Sequence, residues 1–291
     1  MEIAFHLGVH LTDQDQLIRC LMRNRAVLGQ QGIAVPGASS YRAQLRQLGQ
    51  EMEGRPTDAT TQEALLDGLI EADDVQRVVF SSEGLLAQHR WAINNNRFYP
   101  RAADRVRQLA HLFPAADVRV YLAIRDPASF LPALVADKRS GGLDQALKGS
   151  DPMGLRWSEM IARIRAEAPH VPLTIWRDED TALLWPEILR TVSGHSPDIE
   201  LTGWFAWYWD LMSPQSHEAL RRWFQTNPSP DDLHRRKVLS AMLDKFALPE
   251  KIDTDAALPG WDEAYTDVLS ELYDQDVDLI AAMEGVTLLE P

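Results

Sequence analysis

Cysteine is nearly absent from this sequence. Cys20 is the single one among 291 residues, which excludes an internal disulfide framework and a cysteine-rich zinc site and suits a reducing compartment. Positive charge is scarce too: 29 lysines and arginines face 43 aspartates and glutamates, a formal net charge of -14. A surface of that sign repels polyphosphate backbones and anionic lipid, so neither nucleic acid nor a membrane is expected as a partner. Long apolar runs are missing as well. The most aromatic stretch, 204–209, is too short to cross a bilayer and is followed by polar residues. No basic stretch followed by an apolar run opens the chain, so no signal peptide is expected and the expected location is cytoplasmic. Internal repeats and low-complexity segments are absent.

What is present suits a sizeable folded core, with 45% hydrophobic and 25% charged residues. Glu2 to Gly8 is a short apolar run without helical period. Leu17, Ile18, Leu21, Met22 and Leu28 then fall on one face at helical spacing, and Gly29 and Gly32 end that helix. Helical patterns over 41–73, 101–113, 155–167 and 180–192, and another from about Pro127, alternate with short apolar runs at 33–36, 78–80, 118–124 and 173–176. Strands alternating with helices imply parallel pairing with right-handed crossovers. The expected fold is α/β, a three-layer sandwich with a mainly parallel sheet over 1–200.

After Trp204 the strand signals fade. Ser213-Pro214 reads as a helix start, helices are expected at about 214–225, 231–246 and 261–283, and 227–232 reads as the clearest connecting loop. Residues 201–291 are therefore expected to be a helical extension packed on the core.

In open parallel sheets ligands bind beyond the carboxyl ends of the strands. Four such ends carry polar residues: His6 to Asp15, Ser81-Ser82-Glu83, Arg125-Asp126, and Arg177 to Asp180. The first, a strand entering His6-Leu7-Gly8-Val9-His10 before a loop and an amphipathic helix, resembles the phosphosulfate loop of bacterial sulfotransferase-like proteins. Tyr121 to Pro127 is similar to the strand and turn that hold the donor's 3′-phosphate in that family, and Ser81-Ser82-Glu83 and Trp176 to Asp180 resemble its other strand-end segments. The likeness covers roughly 1–190. It implies a fold of the P-loop nucleotide-binding superfamily and 3′-phosphoadenosine 5′-phosphosulfate as sulfuryl donor.

The departures from that pattern carry the functional expectation. The family's loop continues with lysine, threonine, glycine and two hydroxyl residues; here stand Leu11, Thr12, Asp13, Gln14 and Asp15. Leu11 cannot neutralise a transferring group, and Asp13 replaces the glycine that lets backbone curl around an anion. Each carboxylate set about 5 Å from a phosphate costs about 3 kcal/mol at an effective dielectric near 20. Arg125 holds the expected arginine position of the 3′-phosphate clamp, but its serine partner aligns with Ala133. Thr12 with Asp15, or Asp13 with Gln16, has capping-box spacing. The chain's own carboxylate is therefore expected at the anion position, with Thr12, Asp13 and Asp15 capping the helix start.

The ligand-binding candidates are His6, Gly8, His10, Thr12, Ser82, Glu83, Arg125 and Arg177; no catalytic residue and no metal site is assigned. His6 and His10 beside Asp13 and Asp15 read as hydrogen-bonding histidines rather than metal ligands, and Arg125 reads equally as an anion site or an ion-pair partner of Asp126 or a neighbouring acid. Ser82 and Glu83 read as a cap for the turn that follows, Arg177, Glu179 and Asp180 as a helix-start charge cluster, and 204–209 as packing between core and tail. The expected function is that of a sulfotransferase-like protein that has lost donor binding and catalysis and binds a small molecule or a protein. The alternatives are an active transferase using Arg125 or Arg177 as its cation, with the phosphosulfate as cofactor, and an acidic scaffold.

Overall fold

The computed structural model describes residues 1–72, 74–227, 231–248, 251 and 258–291. Six strands form one sheet: β1 (Glu2–His6), β2 (Ile33–Ala34), β3 (Arg77–Ser81), β6 (Asp117–Ile124), β7 (Leu173–Arg177) and β8 (Val286–Leu289). Their order is β2-β3-β1-β6-β7-β8 and every pairing is parallel. A separate antiparallel ribbon, β4 (Ile93–Asn94) with β5 (Arg97–Phe98), follows the β3 end. Its turn places Asn95 and Asn96 at positive φ, as tight hairpins require.

Period-two patterning divides the sheet residues between two helix-covered faces. Ile3, Phe5, Val78, Phe80, Val120 and Leu122 point into one core with Tyr41, Val106, Phe130, Trp157 and Ile161. Ala4, Val79, Tyr121, Ala123 and Trp176 point into the other, with Leu17, Leu21, Leu184 and Ile188. The aromatic segment belongs to this second core: Trp204 and Tyr208 are buried there, and Trp207 stacks on Trp185 with ring centroids 4.7 Å apart.

Two expectations need correction. The first helix does not run through to Leu28 but breaks into α1 (Gln16–Arg23) and α2 (Arg25–Gly29). At the break, Asn24 Nδ2 donates to the carbonyls of Cys20 (2.8 Å) and Thr202 (2.9 Å), and its Oδ1 accepts from Thr202 N. An asparagine that finds backbone partners competes with the helix ladder. Second, the C-terminal region is not purely helical: β8 pairs with β7 and completes the sheet. Four half-exposed residues at an edge carry too little pattern to read as a strand. The helices expected over 41–73 are α3 (Ala38–Glu51) and α4 (Ala59–Asp67). Half of the connecting loop expected over 227–232, residues 228–230, lies outside the described residues.

The C-terminal helix (Glu263–Ala281) is tied to the core by a buried carboxylate. Asp276 Oδ2 accepts from the amides of Trp157 (2.6 Å) and Ser158 (3.1 Å), the first residues of α8 (Trp157–Glu167). Two orphan amides of one helix are thereby satisfied from another. Among the described residues no helix is long and apolar enough to cross a membrane.

Candidate functional site

The chain leaves β1 toward β2 on one side of the sheet and later crosses from β3 to β6 on the other. The switch point lies beyond the carboxyl end of β1, where open α/β sheets place ligands. There the loop 7–15 is held by its neighbours. Leu7 N donates to Tyr121 O (3.1 Å) and Val9 N to Ala123 O (3.0 Å), so the chain keeps pairing with β6 beyond the strand. Gly8 has φ +97°, and a Cβ there would meet Glu83 Cβ at 3.1 Å, so both conformation and close approach require glycine.

Protein groups occupy most of the loop amides. His10 N donates to the Tyr99 hydroxyl (3.1 Å), Leu11 N makes a long contact with Glu83 Oε2 (3.4 Å), and Asp15 N reaches Asp13 Oδ1 (3.3 Å). At the start of α1, Gln16 N donates to Asp13 O (2.8 Å) and Leu17 N to Asp13 Oδ2 (3.1 Å). The amides of Thr12, Asp13 and Gln14 take no acceptor among the described residues. Of the three residues expected to cap the helix, Asp13 alone brings its side chain to the helix amides. The Thr12 hydroxyl donates back to Val9 O (2.9 Å), and Asp15, the residue flanking α1, makes no side-chain cap.

Arg125, at the end of β6, lies across this loop. Its Nη1 donates to Leu11 O (3.1 Å), its Nε donates to Ser129 Oγ (2.9 Å), and Asp178 Oδ2 stands 3.8 Å from that Nε. Its acid partner is thus Asp178 and not Asp126. Asp126 instead caps α6 (Pro127–Ala136) through Ala128 N and accepts from Ser270 Oγ. Asp178 sits 14% exposed, and burial pushes its carboxyl up to about 7, with Arg125 opposing and Glu179 and Asp13 adding to the rise. Arg177 does not reach the loop. It pairs with Asp274 (2.8 Å) and lies 5.0 Å over the Tyr273 ring on the C-terminal helix. Glu179 accepts from Asp126 N (2.7 Å) and the Tyr273 hydroxyl (3.1 Å), so it ties strand end to helix.

His6 and His10 do not face a common ion. The His6 Nδ1 pairs with Ser81 Oγ (2.8 Å) and its ring stacks on Trp176, while its Nε2 is buried without a partner. Burial lowers its pKa, against the carboxylates of Asp13, Glu83 and Asp15. Ser82 precedes a 3-10 turn, but its hydroxyl caps nothing. His10 Nε2 faces Ala87 O (3.2 Å), which can only accept, so Nε2 carries the proton and Nδ1 accepts from the Tyr99 hydroxyl (2.7 Å). Burial brings this imidazole down to about 4, so it is neutral.

The residues that could hold a metal are instead His10, Glu83 and His89, whose ligand atoms lie within 4.8 Å of one another. His89 Nε2 stands 3.2 Å from Glu83 Oε1 and 3.9 Å from Asp137 Oδ2. The chain places its own cation there. Arg139 contacts Glu83 (3.2 Å) and Asp137 (2.7 Å), and its hydrogen bonds hold the Asp137 carboxyl down at about 2. Burial opposes ionisation of Glu83, but His89, His10 and Arg139 together outweigh it and keep that carboxyl below its ordinary value.

Comparison with protein-family models, curated proteins and solved structures finds no match to this chain. The geometry alone therefore adds to the sequence. It brings His10, Glu83, Asp13 and Arg125 to one loop and leaves Arg177 outside. It also adds Tyr99, His89, Arg139, Ser129 and Asp178. Of these, only Ser129 and Asp178 had a signal, each lying within four residues of Arg125 or beside Arg177 at a strand end.

Proposed function

We propose that this chain is a degenerate relative of the P-loop sulfotransferase-like proteins, which has lost donor binding and sulfuryl transfer and acts by binding another ligand. The central β1 feeding a loop and helix suits that ancestry. The observation that carries the loss is Asp13, whose carboxylate and carbonyl accept from the helix-start amides that a bound phosphate would need. Glu83 adds a second negative group at Leu11 N, and Arg125 donates to Leu11 O, so the nearby guanidinium is engaged by the loop itself.

A second reading, an active group-transfer enzyme, is favoured by one feature: Ser129 lies against Arg125, a serine–arginine pair one helical turn before Ala133. Thermal stability measured across a titration with 3′-phosphoadenosine 5′-phosphate separates the two. The proposed reading gives no saturable shift that depends on Arg125. A micromolar stabilisation, near 2.7 kcal/mol at about a hundredfold excess over Kd, that disappears in Arg125→Ala would overturn it.

A further inference from the structure

A cavity of about 430 Å³ opens beside the β3 end, between the turn 84–88 and the segment 99–105. Its wall carries Arg46, Arg90, Arg101 and Arg105 and not one aspartate or glutamate. In a chain with 43 acids and 29 bases, four arginines without a lining acid are out of keeping with the rest of the surface. Among the described residues none of the four makes a salt bridge, whereas Arg77, Arg119, Arg139, Arg177, Arg190 and Arg236 all do.

Neutral partners orient three of these guanidiniums and leave their charge uncompensated. Arg46 Nη2 donates to Gly84 O (3.0 Å), Arg90 Nε to Gln88 Oε1 (3.1 Å) and Arg105 Nη1 to Gln108 Oε1 (3.0 Å). Burial first, then the charges of Arg101 and Arg46, lower the Arg105 pKa against the opposing carboxylate of Asp104, which does not line the cavity. Each guanidinium has five donors, so most remain available to a ligand. The rest of the wall mixes the neutral amides Gln50, Gln88 and Asn94 with apolar and aromatic residues, among them Leu85, Leu86, Tyr99 and the half-exposed Trp91. Lys148 Nζ, outside the wall itself, stands 4.2 Å over the Trp91 ring.

We propose that this cavity binds a small organic anion, a phosphate or sulfate ester with an aromatic or aliphatic body. Guanidiniums match tetrahedral oxyanions with paired, charge-assisted hydrogen bonds. The apolar wall receives the ester's body, and the volume fits a ligand of a few hundred Å³. This site adjoins the β1 loop through Ala87 and Tyr99, which bond to His10, but its arginines take no part in the loop, and it does not depend on whether the loop has lost its donor.

Calorimetric titration with phenyl phosphate, with phenol and inorganic phosphate as controls, tests the assignment. Phenyl phosphate binds saturably, inorganic phosphate binds more weakly and phenol does not bind. Arg101→Ala and Arg105→Gln each weaken phenyl phosphate binding about tenfold or more. The Arg101 side chain is exposed and makes no hydrogen bond in the described structure, so its substitution leaves the fold intact, as an unchanged melting temperature would verify. Arg125→Ala leaves binding unchanged, which separates this cavity from the loop. Absence of saturable binding up to about 10 mM, or binding indifferent to both arginine substitutions, overturns the proposal.

Discussion

Asp178 shows how a single residue couples the cleft to pH. Its carboxyl is pushed up to about 7 because burial outweighs the Arg125 guanidinium 3.8 Å away. The native state therefore binds a proton that the unfolded chain releases near its ordinary value of 3.8. Its contribution to stability is complete below that value and is lost as pH rises through about 7. Neutral buried histidines pull the other way: His10, lowered to about 4, removes stability as pH falls below 6.5. The informative quantity is thus the difference between wild type and Asp178→Asn in urea unfolding. Relative to wild type, Asp178→Asn gains stability between pH 5 and pH 8, by about 2.5 kcal/mol. A difference that stays flat with pH would contradict the assignment. Gly8 is the other residue with a sharp expectation. Gly8→Ala places a methyl against Glu83 and destabilises by about 1–3 kcal/mol in the same assay.

At the scale of elements, the start of α1 is held by Asp13. Asp13→Ala lowers stability by about 1 kcal/mol, while Asp15→Ala stays within about 0.5 kcal/mol, since Asp15 makes no side-chain cap. Equal effects, read from urea midpoints, would place the cap elsewhere. The sequence carried the carboxylates of this loop but not the choice between them. Capping-box spacing fits Thr12 with Asp15 as well as Asp13 with Gln16, and three positive φ values at Leu11, Gln14 and Asp15 turn the chain so that Asp13 faces the helix. The long strands and helices were legible because their side chains follow a period: Val118, Val120, Leu122 and Ile124 of β6 enter one core while Tyr121 and Ala123 enter the other, and α1 repeats every three to four residues. Asn24 escaped because its partner, Thr202, is 178 residues away, and β8 because an edge strand of four residues has no alternation to read. The arginine cavity was invisible for the same reason as Asn24. Arg46 comes from α3, Arg90 from a turn and Arg105 from α5 (Ala102–His111), and only the fold sets them side by side.

Across the whole molecule, the C-terminal helix and β8 are part of the core. Tyr273, Val277 and Ile280 lie in the same buried cluster as the sheet residues Ile3 and Phe80, and β8 extends the sheet. Asp276 is the clearest link. Asp276→Ala leaves the buried amides of Trp157 and Ser158 without an acceptor and lowers stability by roughly 2–4 kcal/mol. A loss of less than about 0.5 kcal/mol on urea unfolding would detach the helix from the core's stability. Charge is distributed with the same long-range logic: the chain is acidic overall, Asp13 in the loop beyond β1 is joined there by Glu83 from the end of β3, and four arginines gather at a neighbouring cavity. The most direct test of the central claim is a residue-resolved amide NMR titration with 3′-phosphoadenosine 5′-phosphate, following the amides of Leu11, Asp15, Gln16 and Leu17. With Asp13 and Glu83 in place these four signals stay unmoved by the nucleotide; saturable shifts at them, abolished in Arg125→Ala, would show a working phosphate loop and contradict the account.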